Sequence, residues 1–192
     1  AAALRLLAKA NALAMHDPRL MEAARATSAD VPVCLDPRPR VMRGIGDILS
    51  PPLSLAALPA LMINPGVPVL TKDVFARLGL KPGERRAEAS EIDAARLKFR
   101  DGLITYLASQ PNDLEAPAVA LQPIIADAIA ALARQDGCSL ARMSGSGATC
   151  IGLFETNEAA QSAARLLQSA NPAWWIAPTV LADQRTNASA RS

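Results

Sequence analysis

Aromatic residues are scarce: three Phe, two Trp and one Tyr make up 3% of 192 residues. Sheets that read RNA display aromatic side chains on their strands, so this composition disfavours a nucleic-acid module. Charge of one sign is lacking too. Twenty basic against eighteen acidic residues leave +2, and the basic ones are scattered, which supplies no electrostatic footprint for a polyanion. His16 is the single histidine, so neither a Ser-His-Asp triad nor a multi-His metal site can be built; its default place is a helix surface. Cys34, Cys138 and Cys150 are odd in number and show no CxxC spacing. That argues against a disulfide framework or a zinc site, and for small buried residues in a reducing compartment. No run approaches ~18 apolar residues, and no transmembrane helix is expected.

What is abundant is alanine, 40 of 192 residues, within a hydrophobic content of 51%. Alanine is a weak hydrophobe and a strong helix former, so the excess points to helices. The apolar content excludes a disordered chain. At ~150 residues per domain, the length suits one domain, or one complete domain with part of another. The opening AAALRLLAKANALAM has the look of a signal h-region, but Lys and Arg interrupt it and its helical spacing is good. It reads as a helix over 1–15 with Leu6, Ala10 and Leu13 on one face.

Asp17 followed by Pro18 predicts a second helix reaching about Arg25. Val31–Leu35 and Arg40–Arg43 read as short β-like runs broken by Pro and Gly. Ser50-Pro51-Pro52 with Pro59 marks a crossing between domains. Beyond it the reading is a strand at Leu58–Asn64, a short helix capped by Thr71 and ended by Gly79, and a loop from Lys81 to Ser90. Helices follow at about 93–108 and from Asp113 to Gln135, the latter interrupted near Pro123. Cys138–Met143 and Ala148–Phe154 form strands joined by Ser144-Gly145-Ser146-Gly147. A helix from Thr156 to Ser169 and a strand at Trp174–Leu181 complete the pattern; the tail from Asp183 reads as disordered. This is the split β-α-β order of a ferredoxin-like α+β layer.

Two loops could carry chemistry. Ser144–Gly147 is either a hairpin turn using the positive φ open to glycine, or a cradle of free N–H groups for a phosphate. It is not a P-loop, because no Gly-Lys-Ser/Thr follows. Asp30 in Ser28-Ala29-Asp30-Val31-Pro32 is either an Asx-turn or cap residue, or a carboxylate held rigidly at a domain junction. By default Thr71 is a cap, and Phe75 and Trp174-Trp175 are core.

ADVPVCL, MRGIGDILSP, NPGVPVLTKDVF, NDLE and RMSGSGATCIGLF, in this order, resemble the GHMP kinase superfamily over about residues 1–180. Within it they resemble the members acting on a cytidylated methylerythritol. The resemblance implies a GHMP kinase fold, α+β, with 1–50 a remnant of an amino-terminal ATP-binding domain. Residues 51–182 would be a ferredoxin-like carboxy-terminal domain and 183–192 a disordered tail. It further implies that Ala1–Leu4 open the helix just past the family's nucleotide loop, so that this loop and a substrate-side lysine lie upstream and the 192 residues alone are inactive. The implied activity is phosphorylation of the substrate's 2-hydroxyl with ATP and Mg2+ carried by it, in non-mevalonate isoprenoid synthesis. Asp30 matches the catalytic aspartate, with Ser28 where glycine is usual. Thr71 and Phe75 match substrate-pocket positions, Phe75 beside the cytosine. Gly145, Ser146 and Gly147 match the motif that buttresses the nucleotide loop. A small-molecule substrate, no nucleic acid, no membrane and a cytoplasmic location follow, with the oligomeric state open. The rivals are a homoserine- or mevalonate-type kinase, lacking ADVPVCL and NPGVPVLT, and a non-enzymatic ferredoxin-like ligand-binding module.

Overall fold

The computed structural model describes residues 1–15, 17–81, 84 and 92–181. His16, most of the Lys81–Ser90 stretch and the tail from Asp183 lie outside the described residues. The described chain forms two compact units, Ala1–Leu55 and Ala56–Leu181. Among the described residues no helix is long and apolar enough to cross a membrane.

The first unit has three helices, α1 (Ala2–Ala10), α2 (Pro18–Thr27) and α3 (Val31–Leu35), then a small antiparallel pair, β1 (Met42–Arg43) and β2 (Ile48–Leu49). Asp17 starts α2 as expected: its carboxylate accepts the Arg19 N–H at 2.9 Å, and Pro18 occupies the first turn. Two expectations need correction. Helix α1 stops at Ala10, and Ala12 takes φ 52° just beyond it. Its buried side is Ala8 with Leu4 against Leu20, Ala24 and Leu35, while Leu6 is 69% exposed and Ala10 also faces solvent. Val31–Leu35 is helical rather than extended. Pro32 sits in the first turn, where its missing N–H has no helical partner to lose, and Pro32 and Leu35 are the buried residues.

The second unit is built on a four-stranded sheet. Its strands are β3 (Leu58–Asn64), β4 (Cys138–Met143), β5 (Cys150–Phe154) and β6 (Trp175–Leu181), in the order β4-β5-β3-β6 with every pairing antiparallel. Taken in chain order as first to fourth, the strands lie second, third, first, fourth, the ferredoxin-like arrangement that the sequence order implied. The register pairs Leu61 with Gly152 and Ile63 with Cys150. One face therefore carries Leu61, Ile63, Cys150 and Phe154, all buried. Against it pack α7 (Ile124–Ala133), through Ile125, Ala128 and Leu132, and α8 (Asn157–Ala170), through Ala160, Ala163 and Leu167. Small residues on α8 let the helix lie close to the sheet. Thr156 caps it as expected, accepting the Ala159 N–H at 3.1 Å.

The connection from β3 to β4 holds α4 (Thr71–Arg77), a 3-10 turn at Arg96–Lys98, α5 (Arg100–Ser109) and α6 (Glu115–Leu121). The helix expected over 93–108 is thus broken at Phe99, whose extended backbone separates the turn from α5. Pro123 separates α6 from α7, as the sequence indicated.

Candidate functional site

In the first unit, Asp30 immediately precedes α3. It is exposed, and its carboxylate makes no capping hydrogen bond; its N–H donates to Ser28 Oγ at 3.5 Å and its carbonyl accepts the Cys34 N–H at 3.3 Å. The cap duty that would explain an aspartate here is therefore absent from the geometry. The β1–β2 turn runs beside it: a Cβ built on Gly46 would stand 3.5 Å from Asp30 Oδ1. Nearby backbone order comes from Asp36, whose carboxylate accepts hydrogen bonds from Arg38 Nε at 2.8 Å and from Arg40 Nη2 at 2.7 Å. The Arg38 guanidinium, and secondarily Arg40, hold the Asp36 carboxyl below its ordinary value, with burial opposing them. Arg40 also donates to the Ser50 carbonyl at 2.6 Å, fastening the hairpin's return.

In the second unit, Ser144–Thr149 joins β4 to β5. The loop closes on itself through Ser144 N–H to the Thr149 carbonyl at 2.9 Å and Gly147 N–H to the Ser144 carbonyl at 3.2 Å. Gly145 and Gly147 take φ 58° and 93°, so the hairpin-turn geometry is present. Four side chains from elsewhere grip it. Thr71 and Ser146 hydrogen-bond hydroxyl to hydroxyl at 2.9 Å, and Asn64 Nδ2 donates to Thr149 Oγ1 at 3.0 Å. Asn112 Nδ2 donates to the carbonyls of Met143 at 3.2 Å and Gly145 at 2.8 Å, and Glu115 Oε2 accepts the Met143 N–H at 2.8 Å. The N–H groups of Gly145 and Ser146 take no partner among the described residues.

The structure thus brings Thr71 onto the glycine-rich loop. Thr71 does not cap α4, contrary to expectation: the residue before the helix is Leu70, and no side chain caps it. Phe75, one turn further along α4, is 54% exposed instead of core, presenting an aromatic face on the same helix. Trp175 is likewise 54% exposed. The cysteines divide: Cys150 is buried and Cys138 half-buried, but Cys34 is exposed. Burial, with the Glu115 charge adding to it, pushes the Cys150 thiol up to about 12, and burial also raises Cys138, so neither is a nucleophile near neutrality. Asn64, Asn112 and Glu115 were missed as loop contacts. The spacing of Asn112 and Glu115 is that of a capping box, which is the local signal they do carry.

A family model described as GHMP kinases C terminal matches residues 90–173. Proteins named 4-diphosphocytidyl-2-C-methyl-D-erythritol kinase are similar over nearly the whole chain. One from Methylorubrum extorquens is 51% identical over 95% of this chain and 62% of its own length. That from Methylobacterium radiotolerans is 52% identical over 94% and 62%. One from Rhodopseudomonas palustris is 51% identical over 92% and 60%. The chain therefore spans about three fifths of the length of the curated relatives it matches. A crystal structure of 4-(cytidine 5'-diphospho)-2C-methyl-D-erythritol kinase superposes with TM-score 0.62 at 30% identity, covering 84% of this chain and 56% of that one. Homoserine kinase from Cytophaga hutchinsonii superposes with TM-score 0.61 at 24% identity, covering 88% and 61%, a likeness of fold alone. Sharing half its residues with these enzymes along almost its full length, and superposing on one of them, the chain carries a GHMP kinase C-terminal domain at residues 90–173.

Proposed function

We propose that this chain forms part of an ATP-dependent kinase that phosphorylates the 2-hydroxyl of 4-diphosphocytidyl-2-C-methyl-D-erythritol, in non-mevalonate isoprenoid precursor synthesis. The observation that carries this reading is the 51% identity to a relative of that name over 95% of the chain. Residues 1–50 then belong to an amino-terminal ATP-binding domain and 51–182 to the carboxy-terminal domain, and a cytoplasmic location goes with the reaction.

In this reading Asp30 serves the acceptor. An alcohol of pKa ~16 attacks phosphorus poorly, and a positioned carboxylate takes its proton as the P–O bond forms. An exposed carboxylate without capping duty suits that task. Thr71 and the exposed ring of Phe75 serve the substrate, the ring offering a stacking face for a pyrimidine. Gly145, Ser146 and Gly147 serve the phosphates, Gly145 and Ser146 offering bare backbone N–H groups where charge must be stabilised and Gly147 closing the turn that presents them. Mg2+ belongs here as the companion of ATP. When bound, it neutralises phosphate charge.

The test is Asp30→Asn in a protein of the relatives' full length carrying this sequence. Asn keeps the shape and accepts a hydrogen bond but cannot take a proton. Turnover should fall by about 100- to 10,000-fold, with ATP affinity and melting temperature unchanged. Near-normal turnover in a folded mutant removes Asp30 from the reaction.

A further inference from the structure

Met143, the last residue of β4, lies on an outer strand of the sheet, where backbone groups facing away from the neighbouring strand need partners of their own. Both of its backbone groups have one. Its N–H is taken by Glu115 Oε2 at 2.8 Å and its carbonyl by Asn112 Nδ2 at 3.2 Å. The other hydrogen of the same Asn112 amide reaches the Gly145 carbonyl at 2.8 Å. Asn112 Oδ1 accepts the Leu114 N–H at 3.0 Å, which fixes the amide's orientation and points both its hydrogens at the loop. The two side chains therefore hold the point where the strand ends and the loop begins. Thr71 holds the loop's middle and Asn64 its return limb.

We propose that Asn112 and Glu115 are positioning residues for phosphoryl transfer: they set the height and tilt of Gly145-Ser146-Gly147 so that the unpartnered N–H groups of Gly145 and Ser146 face the transferred phosphoryl group. This rests on the kinase reading given above. Water could satisfy the Met143 edge equally well, so an edge-capping role needs no particular side chain. A loop whose N–H groups must already point correctly when charge develops does need one, because donors that reorient during reaction forfeit much of their advantage. Glu115 and Asn112 do not touch substrate in this account; they act through the loop.

The decisive variant is Asn112→Asp. It keeps the oxygen that accepts from Leu114 but replaces both donor contacts with oxygen facing carbonyl oxygen, releasing the loop while preserving the local turn. In the 192-residue chain, amide exchange at the hydrogen-bonded loop amides of Met143, Ser144 and Gly147 should accelerate while the core of β3 and β5 stays protected. In a protein of the relatives' full length carrying this sequence, kcat should fall by about 10- to 100-fold, the scale of an ångström of misplacement. KM for the cytidylated alcohol should hold within about twofold, since the loss is confined to the transition state. Glu115→Gln still accepts from Met143 and should restore most of what Glu115→Ala loses. Accelerated loop exchange with unchanged kcat, or a kcat loss no larger than the loss of folded protein, overturns the inference alone. A wild-type protein inactive on the cytidylated alcohol overturns the kinase reading and this inference with it.

Discussion

Gly145 and Gly147 are the same residue type for different reasons. Both take positive φ, but a Cβ on Gly145 would meet nothing within 4 Å, whereas on Gly147 it would come 2.8 Å from Met143 Sδ. Met143 is only 1% exposed and has little room to yield. Gly145→Ala should therefore cost only the left-handed backbone, about 1–2 kcal/mol, and Gly147→Ala distinctly more. Urea unfolding followed by tryptophan fluorescence checks this, because both tryptophans belong to the second unit and report on it alone. Equal losses would mean that the packing against Met143 is relaxed in solution. Glycine at these positions was legible from the Ser-Gly-Ser-Gly pattern itself. Asn112 and Glu115 were not, because their partner Met143 lies 31 and 28 residues away, and nothing local announces such a contact. Phe75 and Trp175 were misread for a related reason: aromatic side chains are core by default, and exposure is decided by what the rest of the chain leaves uncovered.

Elements with a strong local signal read correctly. Asp17-Pro18 starts α2 and Thr156 caps α8, since both use the residue's own side chain and position. The weaker signals failed. In α1 the alanines give several faces of similar hydrophobicity, and tertiary packing chose Leu4 and Ala8 over Leu6 and Ala10. In α3 a run of Val, Pro, Val, Cys and Leu has β-like composition, but Pro at the helix start is compatible with both states and burial of Pro32 and Leu35 decided. The segment after α3 is organised by Asp36 between Arg38 and Arg40, and this makes it acid-sensitive. The folded Asp36 carboxyl titrates below the 3.8 of a free aspartate, so its stabilisation is present above that pH and is lost as pH falls through the folded value. Asp36→Asn should be less stable than wild type at pH 7, and the gap should begin to close at about pH 4 and vanish only as pH falls past the lower folded value. Circular dichroism across that range checks it; a gap that persists in acid would assign the effect to shape rather than charge.

At the scale of the whole molecule, the order strand, helices, two strands, helix, strand was enough to give the ferredoxin-like sheet, because antiparallel hairpin and crossover rules leave few alternatives. Asp30 lies in the first unit, and Thr71, Phe75 and the glycine-rich loop lie in the second. Composition and spacing reached the two loops and stopped there; the ordered motifs and the relatives' identity supply the chemistry. The substrate is where that chemistry is most exposed to test, since homoserine kinase shares the fold at TM-score 0.61. The direct measurement is kcat/KM with ATP for 4-diphosphocytidyl-2-C-methyl-D-erythritol, homoserine and mevalonate, in a protein of the relatives' full length carrying this sequence. The account predicts turnover of the cytidylated alcohol at least about 1,000-fold better than either of the others, as a site built to bind the cytosine and diphosphate would give. Comparable or better turnover of homoserine or mevalonate would contradict it.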